Sequence, residues 1–341
     1  MTRTPSACAQ YAFSFVNSLH YLAGDARLPV RLLGRVARKI AIPVARRLGN
    51  HHLVTARVYG HDLLMPAEHP IVPILAGSPQ YNRPLALAAQ AVREWKSKDR
   101  PLVVVDVGAN IGETVAIIEN ACPEIGVYLC IEADREIAEL CRRNHLNNDR
   151  VRVERCLIGE NEGAAVCLND DGRANPSVKL LAGVHGNPGD YDKLVRLDTV
   201  AGSFAKLHEA LDLLKVDVEG YDFSIMRSAQ QLLSQYHPAL FFEWYPELLI
   251  RQGEDVLSGF EYLMLHGYHY YVFFTSQGDY YCSAFNPGSL FINSLAAVAQ
   301  NRPFDYFDVF ASTDKCEYEE LIRLSVLQET NFHHSKRARF L

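Results

Sequence analysis

From residue 100 onward, short apolar runs alternate with segments whose apolar residues recur at helical spacing. The first run, Leu102–Val107, is apolar apart from Asp106, as expected for a parallel strand buried on both faces. Further strands are predicted at 127–131, 151–158, 211–216 and 240–243, and helices at 112–120, 134–145, 223–236 and 255–266. Strands that alternate with helices predict an α/β fold with a doubly wound, mostly parallel sheet.

Two runs rich in Tyr and Phe follow, in 268–274 and 280–292. They lie close together along the chain, which favours an antiparallel pair at one edge of the sheet. The main domain is therefore expected to span residues 81–293.

The segments on either side have a different character. Residues 27–47 hold seven basic side chains and no acid, with apolar residues at helical spacing. This pattern predicts a basic amphipathic helix, either packed on the main domain or in contact with a membrane surface. Five prolines in 66–84 predict a loop-rich linker before a helix at 85–96. We expect an N-terminal helical extension at 1–80 and a C-terminal extension at 294–341 that ends in a mobile basic tail.

Composition narrows the function classes. The 341 residues carry a net charge of −6, which disfavours a basic nucleic-acid-binding protein. No run of 18 apolar residues occurs, so no membrane span is predicted. The eight cysteines form no CxxC pair, and several lie in apolar runs. We interpret them as reduced and the protein as cytoplasmic, with a disulfide framework or a signal peptide as the alternatives.

The residues between the first strand and the first helix have the composition of a ligand-binding loop. Ligands of open parallel sheets bind at the carboxyl ends of the strands, and glycine lets the backbone approach them closely. Gly108 and Gly112 are separated by three residues, with Asn110 where a dinucleotide motif has its second glycine. The loop therefore fits a pyrophosphate poorly but suits another nucleoside cofactor. A tight turn that binds nothing is the alternative.

A second acidic position supports a nucleoside ligand. Glu132 ends the second predicted strand, where a carboxylate can accept hydrogen bonds from both hydroxyls of a ribose. Enzymes that bind NAD use the same device, so this residue does not choose between cofactors. Asp134 is predicted to cap the helix that follows.

Three blocks of sequence together resemble the FkbM-like family of S-adenosylmethionine-dependent methyltransferases. They are D-V-G-A-N-I-G at 106–112 with Thr114, K-V-D-V-E-G at 215–220, and the strand that ends at Glu243. The resemblance covers residues from about 80 to about 290. It implies a Rossmann-like class I methyltransferase domain with an antiparallel edge strand, and S-adenosylmethionine as methyl donor. It also implies a hydroxyl group on a sugar, glycan or related metabolite as acceptor.

The resemblance also implies roles for individual residues. Asp106 would orient the loop and the methionine ammonium group, and Glu132 would hold the ribose. The residues that would bind the methionine part are Gly108, Asn110 and Gly112, with Thr114 in the same matching block. Residues 156–159 would lie beside the adenine or belong to the sheet core.

Acidic residues provide the candidate catalytic groups. Asp217 and Glu219 are two positions apart at a strand end, so in extended geometry they would share one side of the chain. Two close carboxylates would raise the pKa of one of them, which suits a base that takes a proton from a weakly nucleophilic hydroxyl. Asp217 is the first choice, and Glu243 reaches the same rim. Helix capping, ammonium binding or a shared divalent cation are the alternatives, although no metal site is predicted.

Two other functions remain open at this point. The chain could be a binding module with the same fold that holds cofactor or partner without turnover. It could also be an NAD-dependent oxidoreductase, which the missing second glycine disfavours. A homodimer is the default expectation for the assembly.

Overall fold

The computed structural model describes residues 53–67, 69–123, 126–169, 177–180, 192–204, 209–301 and 306–338. The basic segment 27–47 lies outside the described residues. The strands are β1 Leu53–Val58, β2 His61–Pro66, β3 Leu102–Val107, β4 Gly126–Glu132, β5 Val151–Arg155, β6 Leu157–Ile158, β7 Ala165–Asn169, β8 Ser177–Leu180, β9 Asp192–Val195, β10 Leu213–Val216, β11 Ala239–Trp244, β12 Tyr270–Thr275, β13 Tyr280–Phe285 and β14 Phe307–Ser312. The helices are α1 Ile71–Gly77, α2 Arg83–Lys96, α3 Glu113–Ala121, α4 Arg135–Asn144, α5 Leu197–Gly202, α6 Asp222–Arg227, α7 Gln230–Tyr236, α8 Pro246–Arg251, α9 Ser258–Leu265, α10 Ser289–Asn301 and α11 Lys315–Ala338.

An eight-stranded sheet forms the centre of the molecule, in the order β13-β12-β14-β11-β10-β3-β4-β5. The five strands from β5 to β11 are parallel. This confirms the predicted α/β fold with a Rossmann-like, mostly parallel sheet. The predicted edge pair is also present, because β12 and β13 are antiparallel neighbours at the end of the sheet.

Strand β14 was missed in the sequence. It lies between β11 and β12 and is antiparallel to both. The six residues of β14 belong to the stretch that was expected to form a C-terminal extension. A strand this short is placed in a sheet by its partners, and those partners are distant along the chain.

Some predicted elements have different ends. The predicted strand 151–158 divides, because Leu157–Ile158 pairs with β9 in a separate four-stranded sheet. The predicted strand 280–292 stops at Phe285, since Pro287 and Gly288 follow and α10 begins at Ser289.

One predicted helix, 223–236, is broken into α6 and α7. The hydroxyl of Ser228 donates to the carbonyl of Ile225 at 2.6 Å and accepts the backbone N–H of Leu197 at 3.1 Å. A side chain that bonds nearby backbone groups in this way competes with the helical ladder.

Two apolar layers cover the central sheet. Alternate residues of the same strand enter different layers, with Val105 and Leu214 on one face and Val104 and Leu213 on the other. Helices α2, α3 and α11 contribute to the second layer. The β1–β2 hairpin packs on α3 and α4 through a third apolar cluster. The hairpin lies in the segment 1–80 that was predicted to be helical, so that prediction was wrong for residues 53–66. No helix among the described residues is long and apolar enough to cross a lipid bilayer.

Asp212 joins the starts of neighbouring strands. Its carboxylate is fully buried, receives both terminal nitrogens of Arg100 at 2.6 Å, and accepts the backbone N–H of Val103 at 2.8 Å. We expect Asp212→Ala to lower the free energy of unfolding by about 3 kcal/mol, because it removes the bidentate ion pair with Arg100 and leaves the buried N–H of Val103 unpaired. Urea unfolding measures this loss.

Asp62→Ala is the matched control, because Asp62 and Arg57 form an ion pair whose side chains are both more than 60% exposed. Its effect should stay within about 0.5 kcal/mol. Similar losses for the two variants would contradict the role given to Asp212.

Candidate active site

The polar residues of the motifs lie on one face of the sheet, at the carboxyl ends of its central strands. Lys215 on β10 is in register with Asp106 on β3 and with Phe241 on β11. Glu243 is two residues beyond Phe241 and is in register with Asp308 on β14. Because positions i and i+2 of a strand share a face, these charged residues all face the same side.

Lys215 is the centre of this arrangement. Its ammonium group is 3.1 Å from a carboxylate oxygen of Asp106 and 3.4 Å from one of Asp217, and it donates to the carbonyl of Gly108 at 3.1 Å. Burial alone would lower the pKa of Lys215, but the charges of Asp106 and Asp217 raise it above its usual value. Lys215 was not among the predicted site residues, although a lysine inside the apolar run L-L-K-V is an unusual signal.

Glu132 shapes the loop after β3. One of its oxygens accepts the backbone N–H of Asn110 at 2.9 Å, and the other accepts that of Asp134 at 2.9 Å. Burial raises the pKa of Glu132, and these two backbone donors oppose the shift. Each carboxylate oxygen keeps a second lone pair with which a ligand hydroxyl could bond. The predicted capping by Asp134 is confirmed, since its side chain accepts the N–H of Ile137.

Asn110 occupies the strained position of the loop. It has a φ of +49°, and its side-chain oxygen is 3.2 Å from Nε2 of His69. Burial lowers the pKa of His69, so the imidazole is neutral at pH 7 and can donate to this oxygen. His69 lies before α1 in the segment predicted to be a linker, where no sequence pattern indicated a contact with the loop.

Other residues of the loop block lie beneath the loop. Asp106 and Thr114 are buried, with exposed fractions of 0% and 2%. A Cβ atom at Gly112 would lie 2.3 Å from Nε2 of His145, so this glycine is required for packing against α4. Asp106 forms an ion pair with Lys215 beneath the loop. Its contact with an ammonium group of the cofactor stays a prediction.

The candidate catalytic acids surround the end of β10. Strand β10 stops at Val216, and Glu219 has a φ of +54°, so the extended geometry assumed for Asp217 and Glu219 is absent. The side chain of Asp217 is 49% exposed. Glu243 is buried, and burial together with the charges of Asp217, Glu219, Asp222 and Asp308 raises its pKa well above the usual value.

Further polar groups that were missed in the sequence face the same space. Burial and the charge of Asp217 raise the pKa of Asp308 to about 8. Burial raises the pKa of Glu113, the first residue of α3, to about 7. Burial and nearby carboxylates raise the pKa values of both Tyr81 and Tyr306. No three His, Cys, Asp or Glu side chains in the described part of the chain are arranged to hold a metal ion.

Gly108 sets the approach of the loop to β10. A Cβ atom there would lie 2.0 Å from the carbonyl oxygen of Asp217, and φ is +80°. We expect Gly108→Ala to lower the free energy of unfolding by about 3 kcal/mol or more, from strain and overlap together. Urea unfolding at neutral pH measures the loss.

The control is Gly163→Ala. Gly163 has a similar φ of +81°, but a Cβ atom there would meet nothing within 4 Å. Only the conformational strain of about 1 kcal/mol should remain. If both variants lose the same stability, contact with Asp217 is not what requires glycine at position 108.

Comparison with known proteins identifies the domain. Residues 106–270 match the family model described as the methyltransferase FkbM domain. No curated protein matches the chain. Among similar solved structures, the methyltransferase FkbM from Methylobacillus flagellatus KT is 18% identical, with 68% of this chain and 65% of that chain covered and a TM-score of 0.32. The chain thus spans just under two thirds of that protein.

Two further structures are similar at lower identity. The METTL16 MTase domain is 11% identical, with 92% of this chain and 99% of that chain covered and a TM-score of 0.44. An O-methyltransferase from Bacillus cereus in complex with SAH is 12% identical, with 68% and 81% covered and a TM-score of 0.36. The assignment rests on the family match: residues 106–270 belong to the FkbM-like family of methyltransferase domains.

Proposed function

We propose that this protein is an S-adenosylmethionine-dependent methyltransferase that methylates a hydroxyl group on a sugar, a glycan or a related metabolite. The observation that carries the proposal is the position of the Glu132-bound loop beside a row of carboxyl groups, at the carboxyl edge of an FkbM-type sheet. The loop is suited to bind a nucleoside ligand. The row of carboxyl groups is suited to a positively charged methyl donor and a neutral acceptor.

The residues present fit this cofactor. Glu132 has lone pairs left for the two hydroxyls of a ribose, and Gly108 gives the loop a surface without a side chain. When bound, S-adenosylmethionine supplies a methyl group on a positively charged sulfur. The negative charge of the group formed by Asp217, Glu219 and Glu243 would favour a positively charged ligand. Lys215 offsets only part of this charge, because its ammonium group pairs with both Asp106 and Asp217.

The acceptor side of the reaction needs a different property. A hydroxyl group is a weak nucleophile, so transfer of a methyl group to its oxygen is assisted by a side chain that takes the hydroxyl proton. Asp217, Glu219 and Glu243 are the proposed acids of this part of the site. Their negative character disfavours phosphorylated or carboxylated acceptors, because like charges would be brought together in a partly buried cleft.

The first test is calorimetric titration with S-adenosylhomocysteine and, separately, with NAD. We expect micromolar binding of S-adenosylhomocysteine and no binding of NAD, since the loop lacks the second glycine for a pyrophosphate. Binding of NAD alone, or of neither ligand, would refute the proposed cofactor. Transfer of a labelled methyl group from the donor to a pool of sugar acceptors then separates an enzyme from a binding module.

A second prediction concerns Glu132. Glu132→Gln should weaken binding of S-adenosylhomocysteine about tenfold or more, because a charge-assisted hydrogen bond to a hydroxyl is worth roughly 1.5–3 kcal/mol. Glu136→Gln is the control, since Glu136 is an exposed residue in the first turn of α4. Equal affinities for Glu132→Gln and the parent would remove Glu132 from the site.

A further inference from the structure

Glu243 and Asp308 form a pair of carboxyl groups at the centre of the acidic row. They are directly opposite each other on the antiparallel strands β11 and β14, where opposed side chains lie about 5 Å apart at Cβ. Glu243 is only 8% exposed, and its Oε2 atom has no hydrogen-bond partner among the described residues. A buried oxygen left without a partner has a strong demand for a proton or a cation.

The groups around the pair do not supply a compensating charge. Those that face it are mostly acidic or phenolic: Asp217 and Glu219 after β10, Asp222 at the start of α6, Tyr306 before β14, and Tyr81 before α2. The positive charge of Lys215 lowers the pKa of Asp308, but the ion pairs of Lys215 are with Asp106 and Asp217. Within the described ranges, no basic side chain lies within ion-pair distance of Glu243 or Asp308.

Protonation resolves this excess of negative charge. Two adjacent carboxylates, one buried and the other partly buried, cannot both ionise without a cost in free energy. Burial raises the pKa of Glu243 well above its usual value and that of Asp308 to about 8, so the pair keeps a proton at pH 7 when no ligand is bound. A positive charge in the cleft reverses the balance and favours loss of that proton.

We propose that Glu243 and Asp308 are a proton-sharing pair, ionised by the arrival of the positively charged methyl donor and thereby able to take the proton of the acceptor hydroxyl. The proposal rests on the proposed function. As the acceptor oxygen bonds to the methyl carbon, the carbon–sulfur bond breaks with its electron pair on sulfur. The hydroxyl proton passes to a carboxylate oxygen of the pair, which returns to its protonated state as the positive charge disappears.

This assignment changes the role expected for Asp217. Its carboxylate already pairs with Lys215 at 3.4 Å and is half exposed to solvent. The ammonium group of Lys215 lies against this carboxylate and occupies part of the space from which a hydroxyl group could approach it. Asp217 is therefore better suited to provide a fixed negative charge beside the cofactor.

The deciding experiment counts protons without needing an acceptor. S-adenosylmethionine and S-adenosylhomocysteine are titrated into the full chain at pH 7, in buffers that differ in ionisation enthalpy. The dependence of the binding enthalpy on the buffer gives the protons released. We expect the methyl donor to release about one proton more than S-adenosylhomocysteine at pH 7. This excess should fall as the pH rises above 8, because the pKa of Asp308 is about 8 and the pair begins to lose its proton there without a ligand.

Two isosteric variants locate the source of the proton. Asp308→Asn and Glu243→Gln should each lower the excess release at pH 7 to a small fraction of its value. Affinity for S-adenosylhomocysteine should stay within about threefold of the parent, which also shows that the variant is folded. Asp62→Asn, on the exposed β1–β2 hairpin, is the control and should keep the full excess.

The possible outcomes separate this inference from the proposed function. If S-adenosylhomocysteine does not bind, the proposed function fails. If both ligands bind and release equal numbers of protons, or if both isosteric variants keep the full excess, the proton-sharing pair is refuted while the cofactor assignment stands. An excess that disappears in Asp217→Asn but persists in both other variants would move the proton to Asp217.

Discussion

The buried ammonium group of Lys215 holds the ligand edge of this sheet together. A charge taken out of water is costly unless partners surround it, and Lys215 has two carboxylates and a carbonyl oxygen within 3.4 Å. These partners belong to different parts of the chain: Asp106 to β3, Gly108 to the loop, and Asp217 to the end of β10. The lysine therefore fixes the loop relative to β10, and the loop in turn brings Asn110 to Glu132.

The same ion pairs explain why the acids farther along the edge behave differently. Lys215 neutralises the carboxylates nearest to it, and the described part of the cleft offers no equivalent cation to Glu243 and Asp308. Along this edge, the carboxylates at β3 and β10 are therefore paired with Lys215, whereas the carboxyl groups of Glu243 on β11 and Asp308 on β14 have no such ion pair in the described part of the cleft. A positively charged donor would supply what the second half lacks, so affinity for the donor and affinity for protons become linked quantities.

The parts of the site that were predicted from the sequence are those whose pattern lies within a short stretch of the chain. A continuous apolar strand, a glycine-containing loop and an acid one βαβ unit later identify β3, the loop and Glu132, because each pattern lies within a few residues. Asp308 and Tyr306 could not be found in this way. They enter the site only because β14 inserts between β11 and β12, and that pairing joins segments more than 30 residues apart.

Local reasoning also failed where the chain leaves a regular element. Asp217 and Glu219 could share a side only in extended backbone, but β10 ends at Val216 and Glu219 adopts a positive φ. The acids nevertheless act on one another, because the turn brings both of them near Glu243. The prediction of an acidic cluster thus agrees with the structure, for a reason other than the one that produced it.

The site is also larger than the segment that matches the family. Asn144 on α4 donates to the carbonyls of both Leu64 and Ile111, and it accepts the N–H of Leu64. The β1–β2 hairpin is therefore bonded to the helix that supports the loop, while His69 reaches Asn110 from the other side. Leu64 and His69 thus brace the loop side of the cleft from outside the matched segment, and Asp308 completes the acidic pair. The segment 106–270 contains the Lys215 cluster but not His69, Tyr81 or Asp308, so the site extends beyond the matched segment on both sides.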